Sequence, residues 1–266
     1  MHASADRYPL IAVDIGNSRL KFGLFTSPPG QQFPTPQQVL DLPTSGSVFD
    51  PLADWLGSQR ANHFRWWIGS VNRPAAGRLI DWLREREVAD GITLLCADDL
   101  PLRVALPRPD MVGIDRLLAA VGANDQRPSD RAAVIVDLGT AIKVDLVAAD
   151  GSFQGGAILP GIGTSARALH EFTDLLPLLS MQELSGPPAA VGTNTHDAMR
   201  SGLFWGAVGA VRELIRLYTE QSGHEPAVFL TGGAAASVTK LLTSTTHYEP
   251  NLVLGGIVLS AGSNTP

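Results

Sequence analysis

The sequence predicts an α/β protein of two similar lobes, made by duplicating one unit. Two repeated patterns predict it. A short apolar run ending in Asp, a Gly turn, a small polar residue and a returning apolar run occurs twice, at Asp14-Ile15-Gly16-Asn17-Ser18 and at Asp137-Leu138-Gly139-Thr140-Ala141. A later apolar run in each half ends on glycine, at Trp67-Ile68-Gly69-Ser70 and at Phe229-Leu230-Thr231-Gly232-Gly233. Several features matching in the same order point to an internal repeat rather than to two ordinary hairpins.

Taken along the chain, residues 1–8 read as a polar tail. Residues 10–14 form a buried strand closing at Gly16, and 21–25 the returning strand of a hairpin. Residues 26–47, rich in Pro, Gln, Ser and Thr, read as an irregular excursion. A strand is expected over 64–68, where adjacent Trp66 and Trp67 put one ring inward and one outward. A helix follows over 75–88, with Leu79, Ile80, Leu83 and Val88 on one face. A short strand over 92–96 buries Cys96, and 114–121 is a short helix. Asn124 to Arg131 is polar and contains Pro128, which sets the lobes at 1–126 and 127–266. In the second half, strands are expected at 133–137, 144–147 and around Phe229, with a helix over 234–242. The stretch around Pro187-Pro188 reads as a mobile loop able to act as a flap.

Composition narrows the function. Net charge is −6, which argues against bulk nucleic-acid binding, since that needs a basic surface. No apolar run reaches the roughly 18 residues of a spanning helix, and no signal-peptide pattern opens the chain, so a soluble, cytoplasmic protein is expected. With one cysteine there is no internal disulfide, and the six histidines show no metal-ligand spacing. Neither a Gly-x-x-x-x-Gly-Lys-Ser/Thr loop nor a His-Arg-Asp or Asp-Phe-Gly motif appears, which excludes P-loop and protein-kinase machinery.

The repeated Asp-x-Gly turn suits a nucleoside triphosphate. Glycine lets backbone N–H groups approach phosphates. A strand-end carboxylate can serve Mg²⁺ directly or through water. A lysine balances phosphate charge, and Lys21 and Lys143 follow the two turns. Thr231-Gly232-Gly233 could admit a base or ribose against its backbone. Two facing lobes would turn these strand ends into an interlobe cleft.

The order Asp-x-Gly-Asn, Asp-x-Gly-Thr, Thr-Gly-Gly resembles the acetate and sugar kinase, Hsp70 and actin superfamily. The intervening segments resemble type III pantothenate kinases more closely: Gly113-Ile114-Asp115-Arg116, Gly155-Gly156-Ala157-Ile158-Leu159-Pro160-Gly161, Asn194-Thr195-His196-Asp197-Ala198-Met199-Arg200-Ser201-Gly202, and Leu252-Val253-Leu254-Gly255-Gly256. The resemblance covers nearly the whole chain from about Ile11. It implies two ribonuclease H-like lobes in a duplicated actin-like ATPase fold, and ATP-dependent phosphorylation of pantothenate, the entry step to coenzyme A. It implies Asp115 as the base for the hydroxyl, and Gly113, Ile114, Asp115, Arg116 and Thr195 as pantothenate contacts. Asp14, Ile15, Gly16, Asn17, Ser18, Arg19, Leu20 and Lys21 would hold ATP phosphates and Mg²⁺, and Thr140 would contact ATP. Asp137 would bind a monovalent cation, K⁺ or NH₄⁺. The family also implies a homodimer in which Thr195 reaches the neighbouring subunit's pantothenate.

Three positions depart from the family pattern. Leu106 stands where a Tyr contacts pantothenate, and Ile142 and Lys143 stand where hydroxyl residues are favoured. Lys143 has two readings: an ammonium mimicking the monovalent cation, or a side chain directed to solvent from the hairpin. Two other functions stay open, a kinase or phosphohydrolase for another small substrate and a regulatory relative that binds ATP without turnover.

Overall fold

The computed structural model describes residues 8–46, 49–57, 63–86, 89–242 and 246–263. The chain forms two compact units. The first comprises Met1–Arg103, Pro107–Gln126 and Asn251–Pro266, the second Val104–Leu106 and Arg127–Pro250. The chain enters the second unit briefly at Val104–Leu106 and again after Gln126. The last helix, however, returns to the first unit rather than staying in a 127–266 lobe.

Each unit is built on a five-stranded mixed sheet. In the first, β1 (Leu10–Ile15), β2 (Arg19–Phe25), β3 (Gln38–Pro43), β4 (Phe64–Ser70) and β5 (Ala89–Leu94) lie in the order β3-β2-β1-β4-β5. Strands β1, β2 and β3 pair antiparallel, while β1, β4 and β5 run parallel. In the second, β6 (Ala133–Leu138), β7 (Ala141–Val147), β8 (Phe153–Pro160), β9 (Ala227–Thr231) and β10 (Thr246–Tyr248) repeat that order and those directions. This is the ribonuclease H-like arrangement, present twice.

Period-2 alternation explains both cores. Ile11, Val13 and Ile15 of β1 pack with Trp66 and Ile68 of β4 on one face. That face is covered by α1 (Asp50–Gly57) through Leu52 and Leu56, and by α2 (Arg73–Glu85) through Leu79 and Leu83. Asn72 caps α2 by accepting from the Ala75 N–H at 3.1 Å. The opposite face carries α3 (Ile114–Gln126) and α7 (Leu252–Ser263). In the second unit Val134, Val136 and Leu138 pack against α4 (Ile162–Glu171), α5 (Thr195–Ser222) and α6 (Ala235–Val238).

Several sequence expectations are corrected. The 26–47 excursion contains β3, which reads weakly because it is an edge strand with mostly exposed or half-buried side chains. The helix expected over 75–88 starts at Arg73 and ends at Glu85, and Val88 lies outside the described residues. The helix expected over 114–121 runs on to Gln126. The helix over 234–242 is one short turn followed by a 3-10 turn. Trp66 and Trp67 do point to opposite faces, yet both are buried because β4 has helices on each side. Cys96 is exposed, since β5 ends at Leu94 and the thiol falls in the following turn.

Candidate active site

In the first unit Asp14 is the fifth residue of β1, half-buried and directly opposite Lys21 of β2. Cross-strand partners share a face, so the carboxylate and the ammonium stem leave the sheet on the same side. Asp14 is also in register with Gly69 of β4. Above Gly69 stand Ile114 and Leu118 of α3, within 3.9 Å of where its Cβ would be. Asp14, Lys21 and the first turn of α3 therefore lie on one face, at the carboxyl ends of the parallel strands. Val71 links them further: its N–H donates to Ile15 O at 3.0 Å, and its side chain borders Gly113.

Asp115 occupies the first turn of α3 and accepts from the Arg116 N–H at 2.9 Å. The helix N-terminus stabilises its negative charge. A Cβ at Gly113 would stand 2.7 Å from Asp115 Oδ1, so glycine is required for this placement of the carboxylate. Arg116, half-buried, follows on the same turn.

The hairpin between β1 and β2 presents Asn17, Ser18 and Arg19, all exposed. The Gly16 N–H is bonded to Arg19 O at 2.9 Å, which closes the turn. Ile15 and Leu20 are core residues, 0% and 2% exposed, and can contribute only through their backbone.

The second unit repeats the carboxylate–lysine register. Asp137 of β6 lies opposite Lys143 of β7. Here the pair is closed: Lys143 Nζ is 2.7 Å from Asp137 Oδ2, and the side chains are only 17% and 21% exposed. Gly232, with φ +96°, sits so close that a Cβ there would be 2.5 Å from Asp137 Oδ1. Thr140 is exposed in the β6–β7 turn, which is braced from α4: its carbonyl accepts from Gly161 N at 3.0 Å and Thr164 Oγ1 at 2.7 Å.

An ion added at Asp137 would have to stand beside this ammonium. Two unit charges about 4 Å apart repel by about 4 kcal/mol at an effective dielectric of about 20, which offsets the attraction of the Asp137 carboxylate for a second cation. The residues at Asp137 therefore do not fit an additional monovalent cation. Among the described residues no group of three or more His, Cys, Asp or Glu could hold a metal by itself. A divalent ion fits better as a companion of phosphates, sharing Asp14 with them, since Mg²⁺ keeps waters and phosphate oxygens as ligands.

Thr195 is the exposed first residue of α5, behind its cap Asn194, whose side chain accepts from Asp197 N at 2.9 Å. The segment before it is strapped to the helix rather than loose. Arg200 Nε donates to Glu183 O at 2.7 Å, Ser201 Oγ to Ala190 O at 2.6 Å and Trp205 Nε1 to Pro188 O at 3.1 Å. These contacts argue against Pro187-Pro188 acting as a flap. His196 and Glu183 add an ion pair at 2.8 Å. Sequence reasoning missed this strap because the partners are distant along the chain. Its only signal was the polar spacing in the Asn194 to Gly202 segment.

Comparison with known proteins gives the family. The family model for type III pantothenate kinase matches residues 10–217. The chain belongs to the type III pantothenate kinase family. A type III pantothenate kinase of Dehalococcoides mccartyi strain CBDB1 is 31% identical over 268 residues, covering 97% of both chains. One of Akkermansia muciniphila is 32% identical, covering 96% of this chain and 98% of its own. Another, of Caulobacter vibrioides, is 37% identical over 62% of each. Among solved structures, the Lmo2764 protein of Listeria monocytogenes aligns with TM-score 0.52 at 16% identity, covering 95% of this chain and 98% of that one. That likeness speaks for the duplicated actin-like fold alone, which the type III pantothenate kinase family membership and the two repeated sheets independently give.

Proposed function

We propose that the protein transfers the γ-phosphoryl group of ATP to the hydroxyl of pantothenate, giving 4′-phosphopantothenate in the first step of coenzyme A biosynthesis. One observation carries this beyond family membership. Asp115, fixed on the first turn of α3, shares a sheet face and edge with the Asp14–Lys21 pair.

In this reading Asn17, Ser18 and Lys21 hold the phosphates, with Thr140 a further ATP contact. Mg²⁺, held near Asp14, would neutralise charge on the β- and γ-phosphates. Arg116 takes the pantothenate carboxylate by charge-assisted hydrogen bonds. Asp115 orients the hydroxyl for in-line attack and takes its proton late, as suits a weak base in a loose transition state. Gly113 and Ile114 shape the substrate's edge.

A homodimer in which Thr195 completes the pantothenate site of a second copy belongs to the same proposal. Its support is the exposed apolar group Phe172, Leu175, Leu178, Met181 and Val191 on the segment leading to Thr195. A cytoplasmic location accords with the exposed free thiol of Cys96. No helix among the described residues is long and apolar enough to cross a membrane.

The test is ADP release from Mg-ATP with and without pantothenate. Pantothenate-dependent turnover is expected, falling by roughly 10²–10⁴ in Asp115→Asn. ATP binding without such turnover would instead point to another acceptor or to a regulatory role.

A further inference from the structure

We propose that Lys143 is a built-in monovalent cation, its ammonium standing at Asp137 where the family pattern calls for a potassium or ammonium ion. Turnover then needs neither ion. The inference rests on the kinase reading given above and adds its ionic requirement.

Three observations carry it. Lys143 is the register partner of Asp137, so its side chain leaves the sheet on the carboxylate's side, and the 2.7 Å contact follows from strand pairing. At 17% exposure the side chain is not directed into solvent. Asp137 Oδ1 is packed against Gly232, so the carboxylate is hemmed in on that side as well as engaged by the ammonium on the other. A lysine ammonium is a compact point charge with three donors, the same headgroup chemistry as NH₄⁺. Tethered through β7, it keeps one positive charge beside the β6–β7 turn that presents Thr140. The equivalent register position in the first unit, Lys21 opposite Asp14, shows the repeated sheet placing a lysine across from its own strand-end carboxylate.

The experiment measures wild-type and Lys143→Ala turnover with Mg-ATP and pantothenate in choline, Na⁺, K⁺ or NH₄⁺ chloride at constant ionic strength. Affinity for a fluorescent ATP analogue is measured in the same salts. Wild type is expected to give the same rate and affinity in every salt. Lys143→Ala is expected to lose about 10²-fold in rate in choline and to recover in K⁺ or NH₄⁺. That rescue distinguishes a replaced ion from a merely structural lysine. Wild-type activation or tighter nucleotide binding on adding K⁺ overturns the inference, and needs no variant to be seen. A variant that folds but is not rescued by any cation also overturns it. If no salt supports pantothenate turnover, the kinase reading fails. The nucleotide affinities then decide the cation question on their own, by the same comparison.

Discussion

Asp115 Oδ1 lies 2.7 Å from the point where any side chain at position 113 would place its Cβ. The glycine is thus part of how the carboxylate is aimed. The same Oδ1 accepts from the Arg116 N–H, so the group is held from two sides at the start of α3.

Gly113→Ala is expected to push this carboxylate aside while leaving the core of the unit intact. A misplacement on the order of 1 Å costs about 10² in rate. The expected result is a kcat lowered by about that factor, with a thermal midpoint close to wild type. Unchanged kcat in a folded variant would show that the aim of Asp115 does not matter.

The crossing of α3 and α7 is set by a second close approach. A Cβ at Gly256 would be 2.0 Å from Leu118 O, and one at Gly122 would be 2.7 Å from Leu252 O. Gly256→Ala forces two helix backbones apart, at a cost of at least about 1–3 kcal/mol, as for overpacked cores. The midpoint should fall by about 2–4 °C per kcal/mol, as for chains of about this size. Because α3 carries Asp115, kcat should fall as well. A midpoint equal to wild type would mean that α7 can slide without loss.

What was readable from sequence was mainly what depends on local order. Strands β1, β2, β6 and β7 declare themselves by apolar runs closed by Asp-x-Gly, and the repeat follows from seeing the pattern twice. The strand-end placement of Asp14 and Asp137 follows from the same local pattern, whereas Asp115 stands in the first turn of a helix and carries no such local signal. The return of α7 to the first unit was not, because its partners Leu118 and Gly122 are far away in sequence. Nor was the closed Lys143–Asp137 contact. Spacing puts a lysine on the return strand, but only register decides whether it faces the carboxylate or solvent.

Cys96 illustrates how an apolar neighbourhood misleads. It follows Leu95, which is buried, but sits past the end of β5 with its own side chain exposed. The Asp99 carboxylate, by hydrogen bonding the thiol, pushes its pKa up. Thiolate is the reactive species, so native protein should react with a disulfide reagent completely but more slowly than a model thiol at the same pH. The thiol's hydrogen bonds are local, to Asp98 and Asp99, so modification should leave ATP turnover unchanged. Protection of the thiol until denaturant is added would contradict its placement.

The Glu183–His196 pair sets a pH dependence for the strap that precedes Thr195. Hydrogen bonds from Ser180, then from His196, hold the Glu183 carboxyl down at about 2, against an ordinary 4.5. The Glu183 carboxylate raises the His196 imidazole above its ordinary 6.5. For the histidine, the stabilisation is fully present below 6.5 and is lost as pH rises through its folded value. For the glutamate, it is present above 4.5 and is lost as pH falls toward about 2. The pair therefore contributes most between 4.5 and 6.5. Both side chains are exposed, so added salt should weaken the effect. The thermal midpoint of wild type minus that of Glu183→Gln should be largest in that window at low salt, and should shrink on the alkaline side. A difference that stays flat through the histidine titration would mean that the contact is made by neutral imidazole and that the histidine's charge adds nothing to the strap.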